Sequence, residues 1–163
     1  MKKRIQTLER TLHEEVPLTR QMGIRVEDHD GRELVIKADF EPNINIHGTA
    51  FGGSLFSICA ITCWGLLHLK FEEAGVEARS VLGKAGINYL RPVRGEIEAH
   101  CRLPDDGSFE SFMALVKEKR KASLQLRAVV LSSGRELVQF QGDYSVYYPQ
   151  QPVGRSRSLS DLG

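Results

Sequence analysis

Charge is missing from one long stretch of this 163-residue chain. No Asp, Glu, Lys or Arg stands between Glu41 and Lys70, although 26% of all residues are charged. Neither sign is in surplus. Twenty-two basic residues face 21 acidic ones, and a net charge of +1 leaves no electrostatic footprint for nucleic acid. Cysteine is scarce: Cys59, Cys63 and Cys101 cannot all pair with one another, and an odd count favours reduced thiols in a cytoplasmic setting over a disulfide framework. The opening MKKRIQTLERTLHEEV has basic residues but no apolar stretch, so it reads as neither secretion signal nor membrane anchor. Glycine and proline, 15 and 6, are at ordinary levels, and no internal repeat is visible. The charge-free stretch also lacks the roughly 18 clean apolar residues of a membrane span, because Ser57, Thr62, Gly65 and His68 interrupt it. These absences leave a single domain over residues 1–148, large enough for a substantial core, with no membrane or nucleic-acid partner.

What is present is organised around that same stretch, PNINIHGTAFGGSLFSICAITCWGLLHL. Its first half is polar and punctuated by Gly48, Gly52 and Gly53. From about Ser54 it is apolar on every side, with Leu55, Phe56, Ile58, Ile61, Trp64, Leu66, Leu67 and Leu69. A helix of that kind requires burial all round, and any face its own chain leaves open needs a second subunit. Gly75 is placed to cap its C-terminus.

The flanking chain supplies the cover. Ile5, Leu8, Leu12 and Val16 recur at helical spacing and predict a helix over 3–15, ended by Pro17. Alternation around Ile24 and Val26, a turn at Asp30-Gly31, and Leu34, Ile36 and Ala38 predict a hairpin. After the long helix, further strands are expected at Val81–Leu90, around Ile97–Leu103, from Phe109 to Lys117, around Leu124–Val130 and around Val138–Val146. The run Lys117–Lys121 is read as a charged hairpin end. Alternating segments joined by short turns mean an antiparallel sheet with one buried face. The fold class is therefore α+β, a curved antiparallel sheet wrapped around one long central helix. Residues 149–163 are expected to form a mobile tail.

Two motifs carry a resemblance. Asn45-x-His47-Gly48-Thr49-Ala50-Phe51-Gly52-Gly53-Ser54-Leu55 opens the helix, and Ile87-Asn88-Tyr89-Leu90-Arg91-Pro92-Val93 ends the next strand. Over roughly residues 15–148 the chain resembles hotdog-fold thioesterases, and more closely the thioesterase family named after the YiiD C-terminal domain. The resemblance implies a hotdog fold and a homodimer, or a dimer of dimers, hydrolysing acyl-CoA or acyl-carrier-protein thioesters at the subunit interface. It implies no cofactor. Better-studied relatives carry Asn-x-x-Gly-x-x-His-Gly-Gly and an acid nine residues after that histidine. Asn45, Gly48, Gly52 and Gly53 match that pattern, whereas Phe51 and Ala60 stand where the histidine and acid belong.

The residues themselves offer the following chemistry. Backbone N–H groups around Gly52, Gly53 and Ser54 lie at a helix N-terminus, suited to an oxyanion, or else these glycines only permit close packing. His47 is either a base near neutral pH or a structural hydrogen-bonder. Asn45 either orients water or the thioester carbonyl, or caps its own loop. Ser54 has no visible base and acid to make it a nucleophile, and could serve as an N-cap. The resemblance further implies that Gly48, Thr49, Phe51 and Gly52 border the substrate and that Lys84 and Asn88 reach the partner subunit's loop, while Arg91 and Arg94 either meet the phosphates of coenzyme A or are merely solvated. Cys59, Cys63 and His68 match no common zinc spacing, so no metal is expected. Two rival functions stand beside hydrolysis. One is a catalytically silent module that binds acyl thioesters; the other is a hydroxyacyl dehydratase using Asp39 or Glu41.

Overall fold

The computed structural model describes residues 2–149. The expected tail lies almost wholly outside them. In chain order the elements are α1 (Lys2–Glu15), α2 (Leu18–Gln21), β1 (Arg25–His29), β2 (Glu33–Ala38), α3 (Gly52–Ala74), β3 (Arg79–Tyr89), β4 (Ile97–Arg102), α4 (Ser108–Lys117), β5 (Ser123–Ser132) and β6 (Arg135–Tyr147). The strands form one curved antiparallel sheet in the order β1-β2-β4-β5-β6-β3, wrapped around α3. This is the hotdog arrangement that the resemblance implies.

Local chemistry explains the boundaries. Asp30 Oδ1 accepts the N–H groups of Arg32 and Glu33, both at 2.7 Å, which turns β1 into β2. Gly75, at φ 63°, caps α3 in the left-handed conformation and returns N–H bonds to its last turn. The inner face of the sheet presents Leu34, Ile36, Ile97, Ala99, Leu126, Val130 and Phe140, all essentially inaccessible, to Ile58, Cys63, Leu66 and Leu67 of α3. Gly65 lets α1 and β2 close on the helix, because a Cβ there would stand 2.9 Å from Leu34 and 3.3 Å from Leu8.

Two expectations are corrected. Residues 109–117 are not a strand but lie in α4, and four strands, not five, follow α3. Phe109, Phe112, Met113 and Val116 are the buried positions, at the i, i+3, i+4, i+7 spacing of a helix. Lys117–Lys121 is accordingly the end of that helix and its exit loop, not a hairpin end. One face of α3 is left partly open by its own chain: Phe56, Ser57, Ala60, Ile61, Trp64 and His68 are only half-buried, a stripe at helical spacing that the sheet covers only in part. The edge strand β3 is equally bare, with Val81 48% exposed beside half-buried Leu82, Ala85 and Ile87.

The end of β3 fixes the start of α3. Tyr89 donates its hydroxyl to the Gly52 carbonyl at 2.8 Å. Burial raises this phenol above its ordinary value, so it remains a donor at neutral pH. A Cβ on Gly52 would stand 3.1 Å from the Tyr89 ring, and one on Gly53 2.4 Å from Phe51. The two glycines thus have different reasons to lack side chains. The Phe51 ring is half-exposed and can swing aside, whereas Tyr89 cannot withdraw without losing its bond. Gly52→Ala is therefore expected to destabilise by about 1 kcal/mol, the scale of one hydrogen bond, with a smaller effect for Gly53→Ala. Tyr89→Phe should absorb most of the Gly52→Ala loss, so that the double variant is less destabilised than the sum of the singles. Urea unfolding of the three variants and wild type measures this non-additivity.

Candidate active site

The loop into α3 is a hydrogen-bonded turn with Asn45 at its hub. Asn45 Oδ1 accepts the N–H groups of His47 at 2.8 Å and Thr49 at 3.2 Å, and Nδ2 donates to Thr49 Oγ1 at 3.0 Å. The backbone closes the same turn, from Asn45 N–H to Thr49 O at 2.8 Å and from Gly48 N–H to Asn45 O at 3.0 Å. Gly48 takes φ 68°, where a side chain would be strained. The Asn45 side chain is thus engaged within its own loop. His47 and Ile46 stand at the exposed tip, and Ile46 is 95% exposed, so the single chain gives this tip nothing to pack against.

Beyond the turn, Ala50 N–H donates to Val93 O at 2.9 Å and ties the loop to the segment carrying Arg91 and Arg94. Both arginines are exposed. The N-cap of α3 is Phe51, in an extended conformation, and contributes no side-chain cap. Ser54 is therefore the third helical residue and not the N-cap the sequence allowed. The first α-helical bond at this end runs from Leu55 N–H to Phe51 O. Among the described residues nothing accepts the N–H groups of Gly52, Gly53 and Ser54. They form the positive end of a 23-residue helix dipole.

A cavity of about 470 Å³ opens beside this terminus, bordered by Leu18, Met22, Asn43, Phe51, Gly53 and Ser54. Asn43 was not singled out by the sequence, where it is one of two asparagines a residue apart. Its Nδ2 donates to Met22 O at 2.8 Å and Asp39 O at 2.7 Å, while its carbonyl accepts Phe51 N–H at 2.7 Å. The residue thereby joins the end of α2 and the end of β2 through its side-chain amide, and the cap of α3 through its backbone carbonyl. Its Oδ1 is a buried acceptor with no partner among the described residues. Tyr89 was visible only as part of the strand-end motif; its role in seating Gly52 needed the fold.

Phe51, Gly53 and Ser54 therefore converge on one cavity, with Gly52 behind it under Tyr89. Asn45, His47, Gly48 and Thr49 form the neighbouring turn. Lys84 and Asn88 do not join them within one chain: they line a separate groove of about 440 Å³ along β3 and β6, with Gln139, Gln141 and Asp143. Ala60, at the position of the relatives' acid, lies on the uncovered stripe of α3, and its carbonyl accepts the Tyr144 hydroxyl at 2.8 Å. Cys59, Cys63 and Cys101 are buried, and burial pushes the Cys59 and Cys63 thiols upward, away from the reactive thiolate.

Comparison with known proteins agrees with the fold. A crystal structure of a putative thioesterase from Shewanella oneidensis is 32% identical, with a TM-score of 0.81 over 91% of this chain and 100% of that one. A protein of unknown function from Chlorobaculum tepidum is 31% identical, with a TM-score of 0.82 over 88% and 94% of the two chains. A thioesterase from Haemophilus influenzae shares the fold at 13% identity, with a TM-score of 0.69 over 88% and 90%. The family model described as putative thioesterase (yiiD_Cterm) matches residues 5–148. The chain belongs to that family, the putative thioesterases of the YiiD C-terminal type.

Proposed function

We propose that the protein hydrolyses acyl-CoA or acyl-carrier-protein thioesters in the cytoplasm, without a cofactor, at sites shared between the subunits of a homodimer. The observation that carries this reading is the start of α3. Three successive N–H groups without an acceptor among the described residues stand beside a cavity, in a chain of a thioesterase family. A thioester carbonyl set against Gly53 and Ser54 N–H is polarised in the ground state. Those bonds strengthen as water adds and negative charge gathers on the oxygen, which is the differential binding catalysis requires. Collapse of the adduct breaks the C–S bond, and the proton taken from water passes to the departing thiolate. His47 is the residue we assign to carry that proton. Phe51 shields the donors from bulk water, and Arg91 and Arg94 offer charge to the phosphates of coenzyme A.

The homodimer is supported by what one chain leaves bare. Pairing β3 with its twofold mate would remove an apolar edge and extend the sheet in a closed, isologous way. The unpacked tip at Ile46 and His47 would gain neighbours in the same step. Lys84 and Asn88 of one subunit would then face the Asn45–Ser54 loop of the other. Association of two such dimers is compatible with this scheme.

A silent acyl-thioester binder is the second reading, and Phe51 and Ala60 at the positions of the relatives' histidine and acid favour it. The dehydratase has less support, because Asp39 is held by Arg25 and Glu41 sits exposed in a short turn, Glu41–Asn43.

Purified metal-free protein is expected to release free CoA from at least one acyl-CoA. Turnover equal to buffer across short, medium and long chains, and on acyl-carrier-protein thioesters, would leave the silent binder. His47→Ala should lower kcat by on the order of 10²-fold with the fold intact; an unchanged kcat would remove His47 from the mechanism. Light scattering at micromolar concentration should give about twice the 18.3 kDa chain mass or a multiple of that dimer. Inactive His47→Ala and Asn88→Ala chains should regain part of the activity when mixed. No recovery despite demonstrated subunit exchange would mean that each site is built within one chain.

A further inference from the structure

A second cavity, of about 270 Å³, continues from the first along the uncovered stripe of α3. Leu18, Met22 and Ser57 border both, so the two are one groove running from the α3 N-terminus beneath α2. Its walls are Val16, Leu18, Met22, Phe56, Ala60 and Ile61, without a charged side chain. Two hydroxyls also reach it, and both protons are spent within the protein. Thr19 Oγ1 lies 2.9 Å from Leu12 O and 2.8 Å from Val16 O, and Ser57 Oγ lies 2.9 Å from Gly53 O. In this second cavity no side-chain donor is left to meet a polar substituent, and an unmatched polar group placed there would lose its hydration without compensation.

We propose that this groove holds the hydrocarbon tail, without polar substituents, of a medium-chain acyl thioester. The inference rests on the thioesterase reading only for the position of the thioester, at Gly53 and Ser54. The length follows from the helix. From Gly53 to Ile61 the floor spans about 12 Å at the rise of an α-helix. Extended chain advances roughly 1.2 Å per bond, judged from the ~3.6 Å covered by the three backbone bonds of one residue. That corresponds to an acyl group of about eight to ten carbons. Beyond Ile61 the stripe is occupied by Trp64, which stacks on His68 with ring centroids 4.9 Å apart. Val16 borders both the groove and the next cavity, which holds Trp64, His68 and Glu15, and so divides an apolar channel from a polar one.

The test uses non-hydrolysable S-alkyl-CoA thioethers and calorimetry on the full-length protein. Affinity should rise by on the order of 10²-fold from S-butyl- to S-octyl-CoA, the scale of burying four methylenes, and gain little more with S-hexadecyl-CoA. Ile61→Trp, which fills the groove, should erase most of the rise. Leu18→Ala, a change at a surface wall that does not endanger folding, should reduce it. An affinity independent of length, one that keeps climbing to the hexadecyl compound, or a rise that both variants leave intact would overturn the proposal. The readout is separate from catalysis. Length-selective binding without turnover of octanoyl-CoA would keep the groove and remove the enzyme, whereas turnover with length-independent binding would keep the enzyme and remove the groove.

Discussion

The structure depends on enclosing a helix that cannot face water in a sheet that cannot surround it. Twenty-three residues of α3 contribute ten buried positions, met by inward side chains of the sheet, by α1 and, at Phe71, by Phe112 of α4. Antiparallel strands do this with every second residue, which is why the buried face is so uniformly aliphatic while Glu98, Arg102, Gln125 and Arg127 point outward. A single layer curves only so far. The uncovered remainder is the stripe from Phe56 to His68 and the bare edge at β3.

The same constraint places the chemistry. A helix that enters the core must expose its N-terminal amides somewhere, and here they emerge beside a cavity, under the control of three anchors. Asn43 ties the cap to α2 and β2, Tyr89 seats Gly52, and Ala50 is bonded to Val93. With Phe51 and Ala60 at the positions of a relative's ionisable pair, the hydrolysis proposed above would rest more on these fixed dipoles. Apolar neighbours raise the value of such dipoles by lowering the local dielectric.

Much of this was legible in the chain. The charge gap between Glu41 and Lys70 announced the central helix, Gly75 its end, and Asp30-Gly31 the first hairpin. The segment 109–117 was not, because Phe109, Met113 and Leu115 fall on alternate positions and mimic a strand until Phe112 and Val116 are counted with them. Ser54 looked like a cap because it is the hydroxyl nearest the helix start, but the backbone turns into the helix at Phe51, three residues earlier. Asn43 and Tyr89 escaped for another reason: their bonds reach Met22, Asp39 and Gly52, residues 4 to 37 positions away, and no periodicity encodes those meetings. The half-buried stripe of α3 was hidden by its own composition, since a helix apolar all round does not say which side its chain will leave open.

The pairing of β3 with β6 has a consequence in time. Arg79 lies opposite Tyr147 and Tyr89 opposite Val138, so β3 has no partner within its own chain until the last strand has been made. Synthesis proceeds at roughly 5–20 residues per second, and the ribosome therefore delivers α3 and the apolar β3 several seconds before the segment that shelters them. During that interval the nascent chain displays its stickiest strand, next to a helix with nothing yet fully closed around it. The order of the strands thus makes synthesis itself the interval in which this apolar edge is most exposed.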